Sequence, residues 1–168
     1  MRPVDNASAR TTSHGTLADM DELRSYEVRD PAAAIREVAE TVTLAEDTAW
    51  LALIHHPSTE QRLLRVDPLP VPALLDDDDD ISEHLRAAAE AYGLAWTGDR
   101  RSPEHLALTV VVRPGFAVLG PNEGVWFKGW RYANHLQSLH TGELVLVTEH
   151  GWVDFMTEAC GHEPRMVA

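Results

Sequence analysis

The sequence predicts one α/β or α+β domain with a mixed sheet and three helices, in the order α-β-β-α-β-α-β-β. Helix-like and strand-like patterns alternate along the chain, which is typical of a sheet with helices packed on its faces. Residues 106–112 are apolar at nearly every position, as in a central strand covered on both sides. The chain of 168 residues is long enough to bury a real core. Three-layer α/β/α and two-layer α+β arrangements both fit this pattern.

The first half of the chain predicts a helix followed by a β-hairpin. Asp30 is a favourable N-cap and Pro31 suits the first helical position, so we expect a helix from there to about residue 44. Residues 48–54 form an apolar run of strand length, and residues 61–66 alternate in the manner of a partner strand. The turn-like stretch 55–60 joins the two strands.

The second half predicts two more helices and three strands. Residues 81–92 repeat apolar positions at helical spacing and end at Gly93, a suitable C-cap. The strand 106–112 follows, and Pro121 opens a third helix that we expect to reach about residue 140. Two short strands then close the domain, and they are predicted at residues 144–148 and 152–155.

The predicted domain is flanked by two segments of different composition. Residues 1–21 are polar and poor in large apolar side chains, so we expect a disordered N-terminal arm. Residues 22–156 form the single domain, and residues 157–168 are predicted as a C-terminal tail with little periodicity. A run of five aspartates at 76–80 reads best as a solvated loop that also favours the start of the next helix.

Charge and composition exclude several classes of function. Acidic residues outnumber basic ones, 27 to 14, and the net charge of −13 disfavours binding to nucleic acid. The single cysteine, Cys160, excludes an intrachain disulfide and a four-cysteine zinc site. No apolar run approaches the ~20 residues of a membrane-spanning helix, and no signal peptide is visible. We therefore expect a cytoplasmic protein that makes no membrane contact.

The element order of residues 48–155 resembles the core of the RadC branch of the JAB/MPN metalloprotease-like domains. In that family a strand ends in a His-Asn-His-Pro-Ser-Gly motif, and Pro-Ser-x-x-Asp opens the following helix. Pro114 and Gly115 match the first motif, and Pro121 matches the second. The resemblance implies a shared fold over this part of the chain.

The same resemblance implies that the hydrolytic metal site of the family is missing here. It places the two metal-binding histidines on Val111 and Arg113, and the metal-binding aspartate near Val125. Valine has no lone pair to give to zinc, and arginine repels a cation. The sequence therefore predicts neither a metal at these positions nor a cofactor.

The third helix carries an unusual density of aromatic, basic and amide side chains. One interpretation is that its aromatic residues belong to the core. The other is that the helix and the preceding strand end form a surface for a protein partner or a small acidic ligand. Its residues are Arg113, Trp126, Trp130, Arg131, Asn134 and His135.

Glu149 and His150 form the candidate acid/base pair for an alternative, catalytic function. They follow a predicted strand, and strand ends are where α/β proteins gather their sites. A hydrolase would use this pair together with His55 or His135, with or without a metal. His55 and His56 are adjacent, and neighbouring residues on a strand point to opposite faces, so we do not expect them to share one metal easily.

Two functions therefore stay open. The first hypothesis is a non-catalytic binding protein without cofactor, and the alternative is a hydrolase. Convergence of His55, His135 and His150 within metal-bonding range favours the second, and a scattered arrangement of these three favours the first.

Overall fold

The computed structural model describes residues 28–70, 78–92, 104–136 and 143–167. The predicted N-terminal arm, the last turn predicted for the third helix and two of the five consecutive aspartates lie outside these residues. The described part contains three helices and six strands, in the predicted order with one additional short strand at the end. None of the described helices is both long enough and apolar enough to cross a membrane.

The elements have these bounds: α1 Pro31–Thr41, β1 Thr48–His55, β2 Arg62–Leu69, α2 Asp78–Ala91, β3 His105–Val112, α3 Pro121–Leu136, β4 Leu144–Thr148, β5 Gly151–Asp154 and β6 Cys160–Gly161. The strands form one mixed sheet in the order β2-β1-β3-β4-β5-β6. Only β3 and β4 are parallel, and α3 is the crossover between them. This mixed sheet with three helices confirms the predicted fold class and element order.

Helices cover both faces of the sheet. Even-numbered residues of β1 and β3, such as Ala52 and Leu108, pack with Ile35 of α1 in one core. Odd-numbered residues such as Leu51 pack with Leu85 of α2 and with α3 in the other. Because neighbouring strand residues point to opposite faces, the two cores lie on opposite sides of one sheet. The three-layer arrangement is therefore the observed one.

Local signals place α1 as the sequence predicts. The Asp30 carboxylate accepts from the Ala33 backbone N–H at 2.9 Å, and Pro31 occupies the first turn. The helix buries Ala34, Ile35 and Val38 against the sheet. It ends at Thr41, earlier than predicted, because the backbone at the next residue is extended.

Helices α2 and α3 pack closely together at Gly129. A Cβ atom at this position would lie 2.4 Å from Cγ2 of Ile81 in α2. The absence of a side chain at Gly129 therefore allows the two helices to lie this close together.

The sheet extends beyond the domain boundary predicted at residue 156. Strand β6 pairs with β5, and the Trp152 indole N–H donates to the carbonyl of Glu163 at 3.0 Å. Val167 then forms a bridge with Ala45, near the start of β1. Backbone hydrogen bonds from Met166 to Thr148 and from Val167 to Leu44 also hold this segment to the sheet, and such bonds leave no apolar pattern in the sequence.

Candidate functional site

The loop between β3 and α3 is organised around the guanidinium group of Arg113. Its Nε donates to Glu123 Oε1 at 2.6 Å, and its terminal nitrogens donate to the carbonyls of Pro114 and Val118 at 3.1 and 3.0 Å. Glu123 is 1% exposed, and its other carboxylate oxygen accepts from the Gly120 N–H at 2.6 Å. One largely buried ion pair thus holds both ends of the loop.

Glu149, in the turn between β4 and β5, is a second anchor for the same loop. Both of its carboxylate oxygens accept from the backbone N–H of Gly115, at 3.1 and 2.9 Å. Its own backbone N–H and that of Gly115 hold the pKa of Glu149 below its ordinary value of 4.5. Gly115 has φ of 106°, a conformation that favours glycine. The ionised carboxylate therefore fixes the turn at which the loop leaves β3.

Large apolar side chains project from this loop into solvent. Phe116 is 76% exposed, Val118 67% and Leu119 37%, and Phe127 on α3 is 44% exposed. The Phe116 ring stacks on the imidazole of His150, with ring centroids 5.6 Å apart. We call Phe116, Val118, Leu119 and Phe127 the apolar patch. Exposed apolar groups concentrated on an ordered segment are typical of an interaction surface.

The structure describes the side chains of two residues of the predicted binding surface, Trp126 and Arg113. Trp126 is 1% exposed and belongs to the core beneath the sheet, so it cannot contribute to a surface. The Arg113 side chain is occupied by the loop that it organises. The other members share α3 by their backbone positions, but their side chains lie outside the described part of the structure; they are Trp130, Arg131, Asn134 and His135.

The predicted acid/base pair lies at the carboxyl end of β4. His150 Nε2 is 3.7 Å from Glu149 Oε1, and both side chains are largely exposed. His55 does not lie near this pair. It is opposite His105 at the start of β3, whereas the loop that Glu149 binds begins after Arg113, beyond the other end of this eight-residue strand. At ~3.3 Å per residue, roughly 23 Å separate the two ends of β3.

A second group of polar side chains lies at the amino end of β3. His55 Nε2 is 3.6 Å from Glu104 Oε1, and the rings of His55 and His105 have centroids 4.9 Å apart. The ring of His56 lies 3.8 Å from that of His55. Burial lowers the pKa of His105, and the neighbouring imidazoles act in the same direction against the opposing effect of Glu104. Within the part of the chain that the structure describes, His55, Glu104 and His105 form a group that could hold a metal ion.

Sequence reasoning missed this second group for two reasons. Glu104 precedes β3 and His105 is its first residue, but the partner of this strand is not evident from the sequence, and only the register of β1 against β3 brings them to His55. His56 lies past the end of β1 with φ of 46°, so strand alternation does not govern its direction. The positive φ turns its ring back onto that of His55.

An open cavity of about 320 Å³ lies between β2 and α2. Its wall contains the Arg65 guanidinium, which is 2.6 Å from Asp67 Oδ1 and 4.8 Å from the centre of the Tyr92 ring. The hydrogen bond from Arg65 lowers the pKa of Asp67, and burial raises the pKa of Tyr92. The hydroxyl of Tyr92 donates to the Leu51 carbonyl at 3.2 Å. The charged groups of this cavity are therefore paired within its wall.

No protein-family model, curated protein or solved structure matches this chain. The described residues form a three-layer domain with one mixed six-stranded sheet and with distinct polar groups at the two ends of β3.

Proposed function

We propose that the protein is a non-catalytic binding protein and that it recognises a protein partner through the apolar patch. The observation that carries this proposal is the exposure of Phe116, at 76%, on a loop held in place by two carboxylates. An aromatic side chain presented in this way can fill a pocket on a partner and supply a large share of the binding energy.

The anchoring of the loop supports a role in recognition. The side-chain hydrogen bonds of Arg113 and Glu123 reach backbone groups of the loop or join the two residues to each other, and Glu149 accepts from the loop N–H of Gly115. They fix the positions of Phe116 and Val118, which contribute little to the core because they face solvent. Fixing a loop before binding lowers the entropy that association must overcome. The arrangement therefore presents Phe116 and Val118 in fixed positions before a partner binds.

The charge of the chain indicates the chemistry of the partner. All three nitrogens of the Arg113 guanidinium already donate hydrogen bonds, which weakens the case for a small acidic ligand at this residue. The net charge of −13 opposes association of two copies. We therefore propose a different protein, with an apolar pocket and a basic rim that complements the acidic chain.

The alternative proposal, a hydrolase based on Glu149 and His150, has less support. Both oxygens of Glu149 accept from a loop N–H, and the ring of His150 stacks on Phe116. His55 lies at the other end of β3. A RadC-like origin of the fold remains a further proposal, and it agrees with a binding role because Val111 is core and Arg113 is bound to Glu123.

A variant in which Phe116 and Val118 are both replaced by serine tests the proposed function. Proteins captured from an extract of the source cells by the wild type and by the variant are compared, and each candidate is purified and titrated by calorimetry. We expect the variant to bind the partner at least about 30-fold more weakly, which corresponds to the ~2 kcal/mol of an interface hot spot. Binding by the wild type should also weaken with added salt.

Met156→Ser is the matched control, because Met156 is 51% exposed and lies outside the apolar patch. Both variants should unfold at the same urea concentration as the wild type. The proposal fails if every purified candidate binds the double variant as tightly as it binds the wild type, or if Met156→Ser weakens binding equally.

A further inference from the structure

The register of the sheet brings two histidines face to face at the amino end of β3. His55 of β1 is directly opposite His105 of β3 in an antiparallel pair. The His56 N–H donates to the Glu104 carbonyl at 2.8 Å, which makes 56 and 104 a hydrogen-bonded pair. Because the two kinds of pair alternate, His55 and His105 occupy a non-hydrogen-bonded pair, in which facing side chains are closest.

Glu104 adds a carboxylate to the two imidazoles. Glu104, His55 and His105 each offer one atom that could bind a metal, and these three atoms lie within 4.8 Å of one another. His55 Nε2 is 3.6 Å from Glu104 Oε1. Ligands at the ~2.0–2.2 Å that zinc prefers lie roughly 3–3.5 Å apart. A modest rotation of these partly exposed side chains closes the remaining difference, and the backbone positions need not change.

The backbone that carries these side chains is well fixed. The carbonyl of His56 accepts from the N–H groups of Thr59 and Gln61, at 3.1 and 2.9 Å, so the turn after β1 is closed. The His56 ring packs on that of His55. Ligands held on paired strands need little ordering when an ion binds, which favours affinity.

The kinds of donor atom indicate the class of ion. Two imidazole nitrogens and one carboxylate oxygen suit zinc and related transition metals, whereas calcium and magnesium prefer oxygen ligands alone. Three protein ligands leave at least one coordination position for water or another molecule. The net charge of −13 raises the local concentration of any cation near the protein.

We propose that His55, Glu104 and His105 form a binding site for one divalent transition-metal ion, with Zn²⁺ as the expected occupant. The site is independent of the apolar patch, since it lies at the other end of β3. It is also remote from Val111 and Arg113, where the RadC resemblance places metal ligands.

Calorimetric titration of the purified full chain with Zn²⁺ tests the site. We expect one ion per chain, and we expect His55→Ala, His105→Ala and Glu104→Gln each to weaken binding by at least about tenfold. His150→Ala and His162→Ala are matched controls, because both histidines are exposed and lie elsewhere. These controls should bind Zn²⁺ as the wild type does.

A second measurement uses only the wild type and so does not depend on the folding of any variant. In ¹⁵N spectra of the imidazole nitrogens, Zn²⁺ should shift the signals of His55 and His105 and leave those of His150 in place. The proposal is overturned if Zn²⁺ does not bind, if the shifts fall on other histidines, or if the ligand variants bind as tightly as the controls.

Discussion

The two ends of strand β3 use polar side chains in opposite ways. At the carboxyl end, the polar side chains hydrogen-bond to the backbone of a loop or to each other; they are those of Arg113, Glu123 and Glu149. The apolar side chains of this loop face solvent. At the amino end, backbone groups hydrogen-bond to each other, as the His56 N–H does to the Glu104 carbonyl, and the imidazoles lie on the surface. One end is thus suited to an apolar partner and the other to a cation.

The largest expected effect of a single substitution concerns the ion pair at the carboxyl end. Glu123→Ala leaves Arg113 Nε and the Gly120 N–H without their acceptor. We expect a loss of about 2–3 kcal/mol in the free energy of unfolding, measured with urea. This is less than the ~3–5 kcal/mol for a fully buried pair, because 26% of the Arg113 side chain is exposed.

The control for this prediction is the pair of Arg165 and Glu163, whose side chains are 61% and 68% exposed. Glu163→Ala should cost no more than about 0.5 kcal/mol, as expected for a solvated pair. Equal losses in the free energy of unfolding for Glu123→Ala and Glu163→Ala would show that burial does not strengthen the ion pair of Glu123 with Arg113.

The helix that carries Glu123 depends on its contact with α2, and a pair of glycine substitutions isolates this contact. Gly129→Ala places a methyl group 2.4 Å from Ile81 Cγ2, and we expect it to destabilise the protein by about 1–3 kcal/mol. Gly124→Ala on the same helix meets no atom within 4 Å, and we expect a gain of about 0.5–1 kcal/mol from helix propensity. Thermal unfolding measures the change in stability of each variant. A change in the same direction for both would contradict the packing described at Gly129.

At the amino end, the side chains should matter little to folding in the absence of a metal ion. We expect His105→Ala, measured in the presence of a chelator, to change the free energy of unfolding by no more than about 0.5–1 kcal/mol, as for a partly exposed residue. The reason is that no described residue forms a hydrogen bond with its imidazole. A loss as large as that of Glu123→Ala would mean that side chains at both ends of β3 stabilise the fold, and it would contradict the difference described between the two ends.

The smallest expected effect is a local response to acid at Glu149. Its folded pKa lies below the ordinary value of 4.5, so its anchoring of Gly115 is complete above that pH and is lost as pH falls through the lower folded value. The backbone N–H signal of Gly115 in ¹H–¹⁵N spectra should therefore stay constant from neutral pH to 4.5 and shift below it. Glu149→Gln should remove this transition. A transition centred above 4.5 would contradict the proposed anchor.

Features that depend on neighbouring residues in the sequence were predicted well. Asp30 and Pro31 mark the start of α1 because capping is local, and the continuous apolar run of β3 indicates burial on both faces. The fold class and the order of elements follow from such signals. Helix ends and the extent of β2 were less accurate, since they depend on packing and pairing with distant segments.

Features that depend on register or on helix orientation were not predictable. Trp126 and Phe116 are both aromatic residues near the start of α3, yet one is core and the other is 76% exposed. The pairing of His55 with His105 joins residues from two strands that are far apart in the sequence. The sequence does not show how α3 is oriented on the sheet. It also does not show which strands are neighbours and how they are aligned.

The edges of the sheet also limit how a partner can bind. At one edge, β2 carries Arg62, Arg65 and Pro68, and proline has no N–H to donate to an added strand. At the other edge, β6 consists of only two residues. Strand addition is therefore hindered at Pro68 and limited to two residues at β6, which favours recognition through side chains.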